Sequence, residues 1–344
     1  MRGVSNGISV LTVMHDDFEF IEDYCTGIER LTEVPIVDIE VLVYFWDCDE
    51  SFVRLANSKV RSVARITYKY FEGPNIGFSR GNNFLALQAS NEVLFFLNPD
   101  TQIKEFDVVE LNEVDKSSCI IEPVQTTGNS EDATVVNLQR GTFLSNDVFF
   151  YPRTTRKSAS QTYVDGAALI IAKTYFDQLG GFDENIFVFQ EDMELGLRNL
   201  IGGGSFHRLE GTHVHHFSGG TIGGGAYKAN SGRHATSYFR RIEAEKNQIY
   251  IASKYFSRYT LFIWLIFWSA LNVLSSVALY LTGEKSLAKT PWQGLSIIRK
   301  ENRFGSKSKS VLSLKRSLLK RFTLVPSKIV VFFRHGMPKS NVSS

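Results

Sequence analysis

The stretch V-L-F-F-L-N-P-D, residues 93–100, decides the fold of this 344-residue chain. Its first five residues are apolar and rich in β-forming types, which predicts a buried strand over 93–97. Pro99 cannot continue a hydrogen-bonded ladder, so Asp100 stands directly after the strand end. In an open α/β sheet that edge is where ligands bind. The stretch therefore predicts a carboxylate delivered to a ligand site.

A second stretch, N-I-G-F-S-R-G-N-N at residues 75–83, lies upstream, and the two in this order are more specific than either alone. Apolar runs around them predict strands over 8–14, 37–45, 60–70, 93–97, 119–124 and 167–172, and helices over 16–31, 81–90, 192–200 and 237–259. This alternation predicts an α/β sandwich with a mainly parallel sheet. Residues 126–162 are polar and indicate loops or a small hairpin, and the glycine-rich segment 219–225 is typical of a ligand-closing loop.

Charge is distributed unevenly, although the formal net charge is only +2. Residues 284–344 carry 14 Lys and Arg against 2 Asp and Glu, whereas residues 1–283 carry 24 against 34. A basic tail on an acidic body predicts contact with an anionic membrane surface; the alternative is a solvated tail. Three scattered cysteines without a C-x-x-C pattern indicate a reducing compartment and argue against a disulfide framework or a zinc site.

The segment 261–281 contains no charged residue and has about the length that crosses a bilayer. Three structures fit it: a transmembrane helix, an in-plane or re-entrant element, and a buried core helix. A span would place the basic tail on the side opposite the main body, although such tails usually stay cytoplasmic. Asn272, Ser275 and Ser276 also interrupt its middle. We therefore favour a re-entrant or interfacial element.

Four groups of polar side chains are candidates for chemistry: Asp47, Asp100, the pair Glu191-Asp192, and the histidines His213, His215 and His216. Each alone has an ordinary structural explanation, such as a turn-capping aspartate, an acidic helix start or a surface loop. Together they can build an oxygen and nitrogen site for Mg²⁺ or Mn²⁺, with one acid left to accept a proton.

Five motifs occur in one order: N-x-G-F-S-x-G-N-N, F-L-N-P-D, D-G-A-A-L-I-I, G-G-F-D-E-N-x-F and E-D-x-E-L-x-x-R. In this order they resemble the family 2 glycosyltransferases, especially the rhamnosyltransferase-like branch, over roughly residues 8–255. The resemblance implies a GT-A fold, which is a Rossmann-like mixed sheet flanked by helices. It also implies a nucleotide-sugar donor, Mg²⁺ or Mn²⁺, and inversion at the anomeric carbon.

The resemblance also implies residue roles. Asp100 stands where a D-x-D motif supplies the metal ligand, and His216 fits the H-x-x-G-x-S/T pattern best, with His215 second. Asp192 corresponds to the catalytic base, with Glu191 as its neighbour. The implied donor-binding residues are Asp47 at the base or ribose, Asn75 and Arg80 near the nucleotide, and Asp165 under the donor sugar.

Some residues depart from the family pattern. V-M-H at 13–15 replaces a threonine–tyrosine–asparagine-like triplet, and E-D-x-E replaces E-D-x-D. D-C-D-E at 47–50 replaces D-N-x-S, so Asp49 rivals Asp47 as the base-binding carboxylate. Which of His213, His215 and His216 is a ligand stays open.

The expected protein is a membrane-associated, inverting glycosyltransferase of surface polysaccharide synthesis, such as O-antigen synthesis. It would move a sugar, rhamnose being one candidate, from a dTDP-, UDP- or GDP-linked donor to a glycan or polyprenyl-diphosphate-linked acceptor. Two alternatives are a catalytically inactive GT-A scaffold in a membrane assembly complex and a sugar nucleotidyltransferase. The glycine-rich, Arg/Lys-bearing loop of the latter class is missing after the first strand. No nucleic-acid partner is expected.

The predicted organisation has three parts. A GT-A domain covers 1–255, with about 1–100 as the nucleotide-binding half and 101–255 as the acceptor half. An apolar membrane-associated segment follows at 256–283, and a basic tail at 284–344. The N-terminal residues lack the apolar core of a secretory signal. The expected location is the cytoplasmic face of the bacterial inner membrane, peripheral or re-entrant.

Overall fold

The structure is a computed structural model that describes residues 7–35, 38–127, 134–135, 163–217, 235–256, 258–300 and 339–340. The chain divides into two compact units. Met1–Arg140 and Arg156–Thr221 form the first unit, and Gly141–Thr155 and Ile222–Ser344 form the second. The predicted loop at 219–225 and most of the polar stretch at 126–162 lie outside the described residues.

The first unit alternates strands and helices in chain order. Its elements are β1 (Gly7–Met14), α1 (Ile21–Thr32), β2 (Asp38–Trp46), α2 (Glu50–Ser62), β3 (Thr67–Gly73), α3 (Gly77–Gln88), β4 (Val93–Leu97), β5 (Thr101–Glu105), α4 (Val108–Glu113), a 3₁₀ turn (Lys116–Ser118), β6 (Cys119–Thr127), β7 (Thr134–Val135), β8 (Ala168–Ala172), α5 (Lys173–Leu179), α6 (Glu191–Ile201) and β9 (Ser205–His216). The buried strand predicted at 93–97 is confirmed as β4.

The strands form one mixed sheet in the order β3-β2-β1-β4-β8-β6-β9-β5, with β7 paired to β6. Strands β3, β2, β1 and β4 are parallel, and β8 is antiparallel to β4. Strand β6 is antiparallel to β8, and β9 is parallel to β6. Strands β6 and β9 therefore run in the same direction as β4. The carboxyl ends of β1, β2, β3, β4, β6 and β9 therefore share one edge of the sheet. The α/β sheet expected from the sequence is confirmed, but its second half mixes directions.

The sheet is covered on both faces, as the alternation within β4 shows. Val93, Phe95 and Leu97 belong to a core that includes residues of α1 and α2. Leu94 and Phe96 belong to a second core with residues of α3, α5 and α6. Successive strand residues point to opposite faces, so a fully apolar run is what a central strand requires.

One predicted strand was wrong in its first half. Residues 60–70 were expected to form a strand, but α2 occupies Glu50–Ser62 and β3 begins only at Thr67. The buried residues of α2 are Phe52, Val53, Ala56 and Val60, which is helical spacing. Asp49 begins this helix by accepting a hydrogen bond from the Ser51 amide at 2.7 Å.

A surface loop was one explanation for the histidine run, which instead ends strand β9. Pairing on both sides keeps this segment extended, since β6 runs along one side and β5 along the other. Val214 and His215 are both buried, so both faces of β9 are covered at this point.

The second unit contains three helices among its described residues: α7 (Tyr238–Tyr255), α8 (Arg258–Leu281) and α9 (Lys285–Lys300). The two-residue strands β10 (Ala235–Thr236) and β11 (Lys339–Ser340) pair in parallel. The predicted helix at 237–259 thus ends at Tyr255, and the basic tail begins with a helix. Gly283, with φ +89°, allows the Glu284 amide to bond the Leu279 carbonyl at 2.8 Å and close α8.

Helix α8 is bound along one side to its neighbours. The Ser276 hydroxyl donates to the Ala288 carbonyl of α9 at 2.7 Å, and the Arg241 guanidinium of α7 donates to Ser275 Oγ at 3.5 Å. By length and composition, Leu261–Leu281 is the one candidate membrane-crossing helix in the part of the chain that the structure describes, with a mean hydropathy of 1.9. Only 17% of it is buried.

A buried carboxylate holds the amino ends of β1 and β2 together. Glu40 Oε2 accepts from the Ser9 hydroxyl at 2.7 Å and from the Ser90 amide at 2.8 Å, and Lys69 Nζ donates to Oε1 at 2.6 Å. Burial alone would raise the pKa of Glu40, but the hydrogen bonds from Lys69, Ser90 and Ser9 outweigh it and leave the pKa lowered. The ionised carboxylate is therefore the form that the fold stabilises.

Glu40→Gln should lower the melting temperature at pH 7 by several degrees, equivalent to about 1–3 kcal/mol, because it replaces a charged acceptor of four hydrogen bonds. A lowered folded-state pKa makes this contribution complete above the unfolded value of about 4.3. The difference from wild type should therefore shrink as pH falls through the folded pKa. Thermal unfolding followed by circular dichroism measures it. The matched control is Glu72→Gln, at an exposed position on β3. Equal losses in the two variants would contradict the assignment.

Candidate active site

The sheet edge formed by the strand carboxyl ends collects most of the residues that the sequence singled out. Asp47 directly follows β2, Asp100 follows β4, and His216 ends β9. Asp165 lies at the same edge because β8, which begins at Ala168, is antiparallel to β4. Strands that are distant in the sequence thus deliver carboxylates and an imidazole to one place.

Asp100 and His216 face each other across adjoining strands. His216 Nε2 lies 3.3 Å from Asp100 Oδ1, and both side chains are largely buried. The Phe217 amide also donates to the Asp100 carbonyl at 2.9 Å, which fixes the backbone of the two residues together. A buried carboxylate beside an imidazole supplies the oxygen and nitrogen donors that Mg²⁺ and Mn²⁺ accept.

The three candidate histidines have different surroundings. His215 points to the opposite face of β9, where its Nδ1 lies 3.1 Å from Thr126 Oγ1 and its ring meets Phe217 edge-on. His213 is partly exposed, with its Nε2 4.0 Å from Glu105. His216 is the histidine that lies against Asp100, so the structure distinguishes the three where the sequence could not.

A tight turn at Asp165-Gly166-Ala167 joins the strand end to the acidic helix start. The Asn98 amide donates to the Ala167 carbonyl at 2.9 Å, and Asp165 Oδ1 accepts from the Ala167 amide at 3.0 Å. The Gly166 amide donates to Asp192 Oδ2 at 3.1 Å. Through this turn, the segment that carries Asp100 is connected to Asp192.

Glu191 and Asp192 open helix α6, as the sequence predicted for this helix. Asp192 Oδ1 accepts from the Met193 amide at 2.7 Å, so both of its oxygens receive backbone N–H groups. The two residues before the helix, Phe189 and Gln190, have φ +68° and +70°. Left-handed conformations are strained for such side chains and collect at functional sites.

The second motif packs against the segment that enters α6. Asn75 Oδ1 accepts from the Gly77 amide at 3.0 Å, and the Phe78 amide donates to the Phe187 carbonyl at 2.8 Å. Gly77 has φ +84°, and a Cβ there would lie 2.6 Å from the Phe187 carbonyl oxygen. Only glycine permits this approach, which holds the start of α3 against the residues ahead of Glu191.

The proposed donor-binding residues fall into two places. Asp47 Oδ2 accepts from the Asn75 amide at 3.1 Å, so these two residues lie together at the edge. Asp49, the rival carboxylate, caps α2 instead. Arg80 lies on α3, where its Nε is 3.5 Å from Glu184 Oε2 and both side chains are about half exposed.

Sequence reasoning missed a cluster beside Asp47. The His15 ring stacks on Trp46 with a centroid distance of 3.7 Å, and His15 Nδ1 lies 2.9 Å from the Trp46 carbonyl. Ligand atoms of His15, Asp16 and Cys48 lie within 4.8 Å of one another. Burial raises the pKa of the Cys48 thiol to about 11, and the thiol donates to the Met14 and Trp46 carbonyls. Thiol sulfur is a soft ligand, so Asp100 and His216 remain the better pair for a hard cation.

Thr101 gives a second reason to associate a divalent cation with this pair. It is the cross-strand partner of His216 and is 1% exposed, so the two side chains share a face of the sheet. Its hydroxyl oxygen has no hydrogen-bond partner among the described residues. A buried polar atom without a partner is costly, and a polar ligand bound at this face would satisfy it. The residues present therefore fit a hydrated divalent cation.

Comparison with solved structures identifies the fold class. GalNAc-T7 with UDP, GalNAc and Mn²⁺ is similar at a TM-score of 0.52 and 12% identity, over 98% of this chain and 60% of that chain. The mannosyltransferase PcManGT from Pyrobaculum calidifontis, in complex with GDP-Man and Mn²⁺, has a TM-score of 0.49 at 12% identity and covers 86% of each chain. The mixed sheet flanked by helices is a GT-A fold, as the sequence motifs predicted.

A particular relative is similar in sequence. The low-salt glycan biosynthesis hexosyltransferase Agl10 of Haloferax volcanii is 27% identical over 135 residues, which cover 37% of this chain and 44% of that relative. The chain thus matches less than half the length of Agl10. No family model matches the chain.

Gly77→Ala should destabilise the protein far more than Gly203→Ala, although the two glycines have nearly the same φ, +84° and +83°. A Cβ at Gly203 meets nothing within 4 Å, so that variant bears only the left-handed strain of about 1–2 kcal/mol. A Cβ at Gly77 would also press on the Phe187 backbone. Thermal unfolding of both variants measures the difference. Similar melting temperatures would show that the contact of α3 with Phe187 does not constrain the entrance to α6.

Proposed function

We propose that this protein is an inverting glycosyltransferase that takes its sugar from a nucleotide-sugar donor. The observation that carries the proposal is the grouping of Asp100, His216 and Asp192 at one edge of a GT-A sheet, connected by the Asp165–Ala167 turn. Support also comes from the similarity to Agl10, a hexosyltransferase, and from the UDP, GDP-Man and Mn²⁺ bound in the structural relatives. We place the chain in family 2, and in its rhamnosyltransferase-like branch, on the motifs alone.

Asp192 serves as the general base in this proposal. Its carboxylate is held by the amides of Gly166 and Met193, one to each oxygen, which fixes its orientation at the start of α6. It accepts the proton of the acceptor hydroxyl as that oxygen attacks the anomeric carbon from the face opposite the leaving diphosphate. A single displacement inverts the configuration. Glu191 is buried beside Asp192, and its Oε1 lies against Gly166.

Asp100 and His216 would hold the divalent cation, Mg²⁺ or Mn²⁺. Such a cation, when bound, offsets the charge that develops on the departing diphosphate. Asp47 and Asn75, joined by their hydrogen bond at the carboxyl ends of β2 and β3, bind the nucleoside. Asp165 contacts the donor sugar, and Arg80 lies near the nucleotide. The donor is a dTDP-, UDP- or GDP-sugar, with rhamnose one candidate. The acceptor is a glycan or a polyprenyl-diphosphate-linked glycan of surface polysaccharide synthesis.

Asp192→Asn should abolish sugar transfer while donor binding stays within about twofold of wild type, because the variant keeps the shape of the side chain and loses only its basicity. Transfer and donor hydrolysis are measured with a panel of nucleotide sugars, and binding by calorimetry with Mn²⁺ present. Asp177→Asn, an exposed position on α5, is the matched control. Residual turnover with lost donor binding would reject Asp192 as the base. Absence of both transfer and hydrolysis in the wild type would favour an inactive scaffold.

We further propose that α8 lies in the plane of a membrane at the cytoplasmic face, with its exposed side in the lipid. Its exposed apolar residues, among them Phe262, Ile266, Phe267, Leu274 and Val277, recur on one side of the helix. The opposite side carries the buried residues Trp264, Trp268, Asn272 and Leu279. A helix with one apolar outer face and one occupied inner face is suited to an interface.

The contacts of α8 argue against a span. Its middle is bonded to α9 through Ser276 and to Arg241 of α7 through Ser275. If α8 crossed a bilayer, the Arg241 guanidinium and the exposed Lys289 of α9 would be carried toward membrane depth, at about 2.5–3.5 kcal/mol for each charge. In the plane, the basic residues of α9 and of the following tail reach anionic headgroups instead.

Purified protein should float with vesicles that contain phosphatidylglycerol, and alkaline carbonate should release it, because an in-plane helix lacks the hold of a span. The triple variant Phe262→Ser/Phe267→Ser/Leu274→Ser should lose at least tenfold in vesicle affinity. Leu87→Ser, at an apolar position on α3 that is 74% exposed, should bind as wild type. Retention in carbonate-washed membranes would show that α8 spans the bilayer. Unchanged flotation of the triple variant would remove α8 from the contact.

A further inference from the structure

A buried glutamine lies against the ring nitrogen of His216 that faces away from Asp100. Gln125 Nε2 is 2.8 Å from His216 Nδ1, while His216 Nε2 points to Asp100 Oδ1 at 3.3 Å. Gln125 is 2% exposed and sits near the end of β6. It pairs in register with Val214, two residues before His216, so its side chain shares a face with that histidine. The amide is thus held where it can act on the imidazole.

The orientation of the Gln125 amide is linked to which ring nitrogen of His216 carries the proton. With the amide nitrogen toward the ring, it donates to Nδ1, and the proton of the neutral imidazole lies on Nε2 and is donated to Asp100. With the amide turned over, its oxygen accepts a proton from Nδ1, and the lone pair of Nε2 is free to bind a cation. Carbonyl or carboxylate acceptors on the far ring nitrogen are the usual partners of metal-binding histidines.

We propose that Gln125 is a positioning residue that sets the tautomer of His216, and that its amide turns over when a divalent cation binds at Asp100 and His216. The inference rests on the metal assignment of the proposed function. One proton leaves Nε2 and one arrives at Nδ1 by exchange with water, so the ring stays neutral. Without the cation, the Nε2–H bond to Asp100 occupies the carboxylate; with it, the same two side chains become ligands.

The neighbouring residue offers a matched control. Thr126 follows Gln125 on β6, pairs in register with His215, and places its Oγ1 3.1 Å from His215 Nδ1 on the opposite face. The two contacts are alike in chemistry, since each joins a β6 polar side chain to the Nδ1 of a β9 histidine. They differ in the other ring nitrogen: the Nε2 of His216 faces Asp100, and the Nε2 of His215 does not. A purely structural role would make the two positions equivalent.

The test measures binding of Mn²⁺ alone to the full chain, by calorimetry and by the electron paramagnetic resonance signal of the free ion. Gln125→Met, which removes the acceptor, should weaken Mn²⁺ binding about 10–100-fold. Gln125→Glu, which keeps an acceptor for Nδ1–H, should bind at least as tightly as wild type. Thr126→Val should stay within about twofold. Wild-type affinity in a folded Gln125→Met protein would overturn the role of Gln125.

The tautomer provides a readout independent of activity. In protein labelled with ¹⁵N-histidine, the resonances of His216 should change from the Nε2–H to the Nδ1–H pattern when Mg²⁺ is added. Gln125→Glu should show the Nδ1–H pattern before any metal is added. If Gln125→Met does not fold, the Gln125→Glu variant decides the question. Weaker Mn²⁺ binding than wild type, or an unchanged His216 tautomer, in Gln125→Glu would overturn the inference. If the wild type itself binds no Mn²⁺, the metal assignment fails and this role fails with it.

Discussion

The antiparallel pairing of β4 with β8 is the constraint on which the candidate active site depends. Leu97 pairs with Ala168, so the carboxyl end of β4 meets the amino end of β8, and the Asn98 amide closes onto the Ala167 carbonyl. A parallel partner would have placed its own start at the far edge of the sheet. Gly166 completes the arrangement, because its amide donates to Asp192 Oδ2 at 3.1 Å. A change of strand direction therefore brings two motifs, about ninety residues apart in the chain, to one edge.

The parts of this arrangement that could be predicted from sequence are those with a local signal. β4 was predictable because an apolar run ended by Pro99 has few alternatives, and the acidic start of α6 follows a run of loop residues. Helix α2 also had a local signal, the cap at Asp49 and the spacing of Phe52, Ala56 and Val60. The prediction of a strand at 60–70 overlooked that periodicity.

Strand β9 and the choice among its histidines had no local signal. Several of its inward positions are polar, and the Arg208 guanidinium is neutralised by Glu122 on β6 at 2.7 Å, a partner 86 residues away. From its sequence alone such a strand is predicted as a polar loop, because the partners of its polar side chains lie on distant strands. Which histidine faces Asp100 depends on register: a slip of one residue would exchange the faces of His215 and His216. Register is set by pairing with β5 and β6, which a single sequence does not reveal.

The carboxyl edge of the sheet carries strained backbone conformations, whereas the amino ends of its strands carry a stabilising buried carboxylate. At the carboxyl edge, Asp47, Phe189 and Gln190 all hold positive φ, and conformations of this kind cost about 1–3 kcal/mol each. Strained conformations of this kind persist only where contacts with the surrounding structure hold them in place. The amino ends of β1 and β2 supply part of that constraint through Glu40, whose buried carboxylate joins β1, β2, β3 and Ser90, three residues before β4. Because this charge joins the parallel strands at one end, β4 through Ser90, their other ends can carry strained conformations at the candidate site.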